Sequence, residues 1–137
     1  MSRNFKIDAM KYLFFLLGTF VSLNVVAQAN ANDIVGKWMK MPKEDLVIEV
    51  VNNNGSFNGK IQWSGKPDSA QQKGHLVIED LRYNESSKSW EDGTIHDPRS
   101  GSTYKAAAKI KADGTLEVLG YKGMKFIGSK KSFRRIK

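Results

Sequence analysis

Between Trp90 and Tyr104 the chain reads WEDGTIHDPRSGSTY. Three carboxylates (Glu91, Asp92, Asp97), His96, Arg99 and the hydroxyls of Ser100, Ser102 and Thr103 crowd into this stretch. A histidine oriented by Asp97 or Asp92 and facing a serine would make a base and a nucleophile. The spacing argues against it. No G-x-S-x-G turn is present to expose a serine, and adjacent strand residues point to opposite faces, which separates His96 from Asp97. No catalytic residue is assigned, and an enzyme is not expected. Metal chemistry fares no better, because His75 and His96 are the only histidines and the chain has no cysteine. No H-x-H or H-E-x-x-H spacing puts two ligands on one ion, even with Asp68, Asp80 or Asp97 nearby. Neither a metal nor a cofactor is expected.

The same residues make good sense as a hairpin. Pro98 suits the first central position of a turn, Asp97 can accept a backbone N–H across it, and Gly101 supplies a positive φ. The expected elements are a strand from Trp90 to His96, a turn, and a strand from Ser102 to Ile110. Strict alternation would put Trp90, Asp92, Thr94 and His96 on one face and Glu91, Gly93 and Ile95 on the other. His96 would then stand at the rim beside the turn.

The rest of the chain after Asn32 follows this pattern. Turn signals recur at NNNG (52–55), SGKPDS (64–69), NESS (84–87), DPRSG (97–101), ADG (112–114) and YKGM (121–124). Between them lie alternating segments of about five to ten residues. Phe57, Gly59, Ile61 and Trp63 share one face of SFNGKIQW; Tyr104, Ala106, Ala108 and Ile110 share one face of YKAAAKIK. No segment carries a helical stripe over three turns. Short strands at regular spacing, joined by short turns, predict an all-β, antiparallel up-and-down barrel of about eight strands, closed so that no edge is exposed. Ser64–His75 is too long and polar for a hairpin turn and is expected to lie over one mouth.

The aromatic residues Trp38, Phe57, Trp63, Trp90, Tyr104, Tyr121, Phe126 and Phe133 fall on nearly every strand. Pointing inward, they either fill the barrel or line a pocket, and pattern alone leaves both open. Ala106 and Ala108 beside Tyr104 leave room and favour a cavity. In KKSFRR, alternation sends Lys130, Ser132 and Arg134 one way and Lys131, Phe133 and Arg135 the other. Arg134 is expected to cap the barrel end by stacking on Trp38. The candidate ligand-binding residues are Trp38, Trp63, Trp90, His96, Tyr104, Tyr121 and Arg134.

An ordered set of short motifs supports this fold. It comprises Gly36-Lys37-Trp38, Gly55, Gly59-Lys60-Ile61, Trp90, Gly93 to Pro98, Gly101 to Tyr104, Leu116, Val118, Gly120-Tyr121, Gly128 and Ser132-Phe133-Arg134. Together they resemble the bacterial exported family called domain of unknown function 2147. The resemblance implies a lipocalin-like barrel and export, and it brings no established reaction, substrate or catalytic residue. Two positions depart from the family pattern, His96 for its usual Tyr and Phe133 for its usual Trp. The loop after Trp63 is also shorter than usual.

Export is also written in the first 31 residues. Lys6 and Lys11 lead into the apolar run YLFFLLGTFVSLNVVA, and AQANAN supplies small residues at signal-peptidase spacing. Residues 1–31 are therefore expected to be a cleaved signal peptide, with Met10 an equally good start and cleavage after Ala29 or Ala31. The run is short for a membrane span and interrupted by Gly18, Ser22 and Asn24. What remains, residues 32–137, is a single β-barrel domain that is not transmembrane. With no cysteine there is no lipoprotein anchor, so the expected location is the periplasm or the medium. The net charge of +8 falls by two to +6 once Arg3, Lys6, Lys11 and Asp8 are removed. Such a protein is drawn to anionic partners, and location sets nucleic acid aside. The sequence thus points to a non-enzymatic binder of a small amphipathic ligand or lipid. The alternative is an envelope protein that holds anionic glycan or lipopolysaccharide on a basic surface.

Overall fold

The computed structural model describes residues 30–66, 73–125 and 128–137. The expected signal peptide up to residue 29, the middle of the Ser64–His75 segment and Phe126 lie outside the described residues. Ala31–Lys137 forms one compact unit. Among the described residues a 3-10 turn, Ala31–Ile34, precedes eight strands: β1 (Gly36–Met41), β2 (Leu46–Asn53), β3 (Ser56–Ser64), β4 (Leu76–Asn84), β5 (Ser89–His96), β6 (Thr103–Ile110), β7 (Leu116–Tyr121) and β8 (Ser129–Ile136). Each strand pairs antiparallel with the next, and β1 pairs with β8 to close the barrel. Closure satisfies the backbone donors and acceptors that an open sheet would leave at its edges.

The up-and-down order sorts the connections to two ends. One end has tight turns at Asn54-Gly55, Glu85–Lys88 and Lys111–Thr115. Polar side chains close them locally: Asn52 Oδ1 accepts the Gly55 amide at 2.7 Å, and Asn84 Oδ1 accepts the Ser86 amide at 2.9 Å. The other end carries residues 42–45 and the longer segments 65–75, 97–102 and 122–128. The hairpin expected around Pro98 is there. Asp97 Oδ1 accepts the Arg99 amide at 2.9 Å, Asp97 O accepts the Gly101 amide at 2.9 Å, and Gly101 has φ +73°.

Bulges break strict alternation in three strands, and each changes which side chains face inward. In β3 an extra residue separates Ile61, opposite Ile48, from Trp63, opposite Val47. Trp63 therefore leaves the face it was expected to share with Phe57, Gly59 and Ile61, and is 49% exposed. In β4, Phe57 faces Leu81 but Gly59 faces Ile78, so an extra residue intervenes at Asp80, which takes φ +59°. Asn58 Oδ1 accepts the Asp80 amide at 2.9 Å, and Asp80 Oδ1 accepts the Ser56 hydroxyl at 2.6 Å. In β5 the extra residue is Asp92, with φ +61° between Trp90 opposite Ala108 and Gly93 opposite Ala106. This overturns the expected face of Trp90, Asp92, Thr94 and His96. Trp90 and Gly93 are both buried, with Ile95 in phase with Gly93, while Thr94 takes the opposite face and half-buried His96 stands at the rim.

The tight-turn end is filled. Trp38, Ile34, Val50, Phe57, Leu81 and Leu116 are almost fully buried there, and Trp90 stands edge-on to Phe57 with ring centroids 6.5 Å apart. The 3-10 turn acts as a plug. Ile34 O accepts the Trp38 indole N–H at 2.9 Å and Ala31 O accepts that of Trp90 at 3.0 Å, so both buried donors are satisfied. Ala106 and Ala108 make space here for rings, since Ala108 lies opposite Trp90. They do not open the cavity they were expected to favour. The residue that stacks on Trp38 is Arg135, not Arg134: its guanidinium lies 4.3 Å from the ring centroid and donates to Val35 O at 2.9 Å and to Asp33 O. Gly36, at φ +135°, lets the chain pass beneath it, for a Cβ there would lie 2.7 Å from Arg135 Nη1. Arg134 faces outward, 3.3 Å from Glu44 Oε1 and 3.5 Å from Met39 Sδ. Alternation placed Arg134 and Arg135 on opposite faces correctly, but it could not say which face met Trp38.

Candidate functional site

At the long-loop end the barrel is hollow. A cavity of about 400 Å³ opens there, within the usual range for small-molecule pockets of ~300–1,000 Å³. Its walls are Ile48, Ile61, Ile78, Ile95, Val118 and Phe133, with Leu46 and Val77 nearer the mouth. Two sequence features put these groups together. Ile48, Val118 and Phe133 continue the inward alternation of β2, β7 and β8, while Ile78 and Ile95 face in only because of the bulges at Asp80 and Asp92. A further slip of β4 against Lys60 brings both Val77 and Ile78 to the wall.

The mouth is polar. Lys40, Asp45, Lys66, His96, Asp97, Arg99, Tyr104 and Lys131 all border it. Lys40 is two residues beyond Trp38 on the inward face of β1, and Lys131 is two residues before Phe133 on the inward face of β8. Burial holds the Lys40 pKa below the usual lysine value of 10.5. Asp45, 3.8 Å away, offsets part of this, and the positive charges of Lys131, Lys66 and Arg99 add to it. Asp45 Oδ1 is buried and makes no hydrogen bond, so that contact is a long ion pair. Asp97 sits below the ordinary carboxylate range chiefly because it accepts the Arg99 amide. Tyr104 lines the cavity from β6, with Lys122 Nζ 4.9 Å from its ring centroid.

Of the sequence candidates, only His96 and Tyr104 border this cavity. Trp38 and Trp90 are buried in the filled end, and Trp63 stands outside on β3. Tyr121 faces away from the lumen, one residue past inward Gly120, although its ring is covered to 8% exposure. Arg134 is on the outer surface. Sequence reading missed Lys40 and Lys131. Their signal was present, because each is spaced by two from a buried aromatic residue.

His96 Nε2 is buried without a hydrogen-bond partner, and the nearest acid is Glu79 on the neighbouring strand, 3.9 Å away. Ser100 Oγ accepts the Ser102 amide at 3.2 Å within the turn. Outside the rim, His75, Glu79, His96 and Asp97 border a shallow groove. Among the described residues no three His, Asp or Glu side chains cluster closely enough to hold a metal ion. No helix among the described residues is long and apolar enough to cross a membrane.

An eight-strand antiparallel barrel, plugged at one end and hollow at the other, defines a lipocalin-like protein. Residues 36–135 match the family of uncharacterized proteins conserved in bacteria, DUF2147, and the chain belongs to that family. Among solved structures it is similar to protein HP1028 from the human pathogen Helicobacter pylori, described as belonging to the lipocalin family. The TM-score is 0.62 at 18% identity, over 76% of this chain and 83% of that one. At this identity the likeness concerns the fold. No curated protein matches the chain.

Proposed function

We propose that this protein is an exported, non-enzymatic carrier or sensor that binds one small amphipathic molecule in the open half of its barrel. The observation that carries the reading is the gradient along the barrel axis. An apolar chamber, closed below by Trp38, Phe57 and Trp90, ends above in a charged mouth. Such a site takes an apolar group inside and leaves a polar group at the rim. The lipocalin-like neighbour supports the same reading at the level of fold. Native mass spectrometry with lipid extraction of the purified protein tests it, together with titration of the neutral fluorophore N-phenyl-1-naphthylamine. A co-purifying small molecule and saturable one-to-one fluorescence support binding; absence of both sinks the reading.

The outer surface gives less support to glycan or lipopolysaccharide binding. Several of its cations already face acids, Lys125 at 2.6 Å from Glu91 and Lys130 at 3.7 Å from Glu117. Export remains a proposal resting on the leader sequence, and the fold favours one cleavage site. Cleavage after Ala31 would remove the carbonyl that accepts the Trp90 indole, whereas cleavage after Ala29 keeps the whole plug. N-terminal sequencing of the exported protein should read Asn30-Ala31-Asn32.

A further inference from the structure

We infer that the ligand is an anionic amphiphile, a single alkyl or acyl chain bearing a carboxylate or phosphate, with its head group held between Lys40 and Lys131 at the β1–β8 seam. This deepens the proposed function and rests on the cavity being a binding site.

The argument starts from register. Lys40 pairs with Phe133 across the seam, and Lys131 lies two residues from Phe133 on the same face. The two lysines are therefore diagonal neighbours, a separation of roughly 7–8 Å between backbones, within reach of long side chains. Both border the apolar chamber. Like charges so placed repel, and burial of Lys40 makes its charge costlier. The acid that faces Lys40 is Asp45, at ion-pair distance without a hydrogen bond. Among the described residues bordering the mouth, Lys40, Lys131 and Arg99 stand against Asp45 and Asp97. The surplus is positive. A protein that needed only solubility could place these lysines on the outer face, where Lys105 and Lys109 already stand exposed. Inward lysines at the top of an apolar chamber are explained by an anion that arrives with its own apolar tail.

Size narrows the class further. About 400 Å³ is near the lower end of ligand pockets, which suits one chain and not the two of a membrane phospholipid. A cationic head group would meet the surplus charge and be rejected. A neutral one would leave the positive surplus at the mouth uncompensated.

The test matches chains and varies head groups. Dodecanoate, dodecyl phosphate, dodecan-1-ol and dodecyltrimethylammonium are titrated by calorimetry into the purified protein and into Lys40→Met, Lys131→Met and, as an outer-surface control, Lys109→Met. One or both anions should bind about tenfold or more tighter than the alcohol, as charge-assisted hydrogen bonds imply. Which anion wins separates a carboxylate ligand from a phosphate one. Lys40→Met and Lys131→Met should each weaken the preferred anion several-fold and leave dodecan-1-ol and N-phenyl-1-naphthylamine unchanged. Their unchanged binding also shows that these variants fold. Lys109→Met should match wild type. If the alcohol binds as tightly as both anions, or the two inward variants alter no head-group preference, the anion inference is overturned while the cavity reading stands. If none of the four chains and no fluorophore binds, both fall together.

Discussion

The two ends of this barrel are built from the same alternating strands and came out opposite. At the tight-turn end, Trp38, Phe57 and Trp90 project into the lumen, with Ala106 and Ala108 facing them to make room, and a 3-10 turn seals the opening. At the long-loop end the inward residues are Ile, Val and one Phe, none long enough to reach across, so a chamber remains. The difference teaches that a small barrel without disulfides can confine its stability to one half. Rings fill one end and satisfy their own indole donors; the other end gives up packing and leaves a chamber. Stability and binding should therefore respond to different mutations.

The largest expected effect lies in the filled end. Trp38→Ala should cost about 3–5 kcal/mol, the usual range for truncating a buried aromatic, measured as a shift in urea midpoint. A loss below ~1 kcal/mol would break the comparison. Next comes a matched pair of enlargements. Ala106→Leu forces atoms into the packed half and should cost about 1–3 kcal/mol. Val118→Phe adds atoms to the chamber, so thermal stability should stay near wild type while N-phenyl-1-naphthylamine binding is lost. Equal destabilisation by both would mean the chamber closes in solution.

Arg135→Met against Arg134→Met sharpens the picture of the cap. The first removes a cation–π contact and two carbonyl bonds and should cost about 1–2 kcal/mol; the second touches an exposed ion pair and should cost less than about 0.5 kcal/mol. Chemical denaturation of both variants decides which arginine belongs to Trp38.

The smallest effect concerns Glu91 and Lys125, which are 2.6 Å apart on the outside. The bond from Lys125 holds Glu91 below its ordinary 4.5, and the bond to Glu91 raises Lys125 above 10.5. A depressed carboxylate stabilises the fold above its unfolded pKa and loses that contribution as pH falls through its lower folded value. A raised lysine stabilises below 10.5 and loses its share only as pH climbs through the higher folded value. Both partners are partly exposed, so Glu91→Gln should lower stability at pH 7 by a few tenths of a kcal/mol at most. The gap from wild type should narrow as pH falls below 4.5, as followed by melting temperature at pH 7 and pH 3.

The fold was legible beforehand, but of the site only His96 and Tyr104 were, and the gaps have a common cause. The hairpin at Asp97–Gly101 and the inward set Tyr104, Ala106 and Ala108 followed from turn chemistry and period two. Trp63 and the β5 face were misplaced because Asp92 and the β3 bulge shift the phase by one residue, and a bulge at Asp leaves no sure mark in sequence. Asp80 and Asp92 adopt positive φ, a conformation usually marked by glycine. Lys40 and Lys131 were passed over because a lysine on an inward position is ordinarily outweighed by the apolar pattern around it.

The chain by itself determined an all-β domain, its strand boundaries to within a residue or so at the hairpin, and its antiparallel order. These follow from local rules: alternation, turn residues and the need to leave no edge. Only the tertiary structure decided which inward side chains met in a packed core and which bordered empty space. That depends on register across the closing seam and on where the bulges of β3, β4 and β5 fall, and both are set by how all eight strands fit around one axis at once.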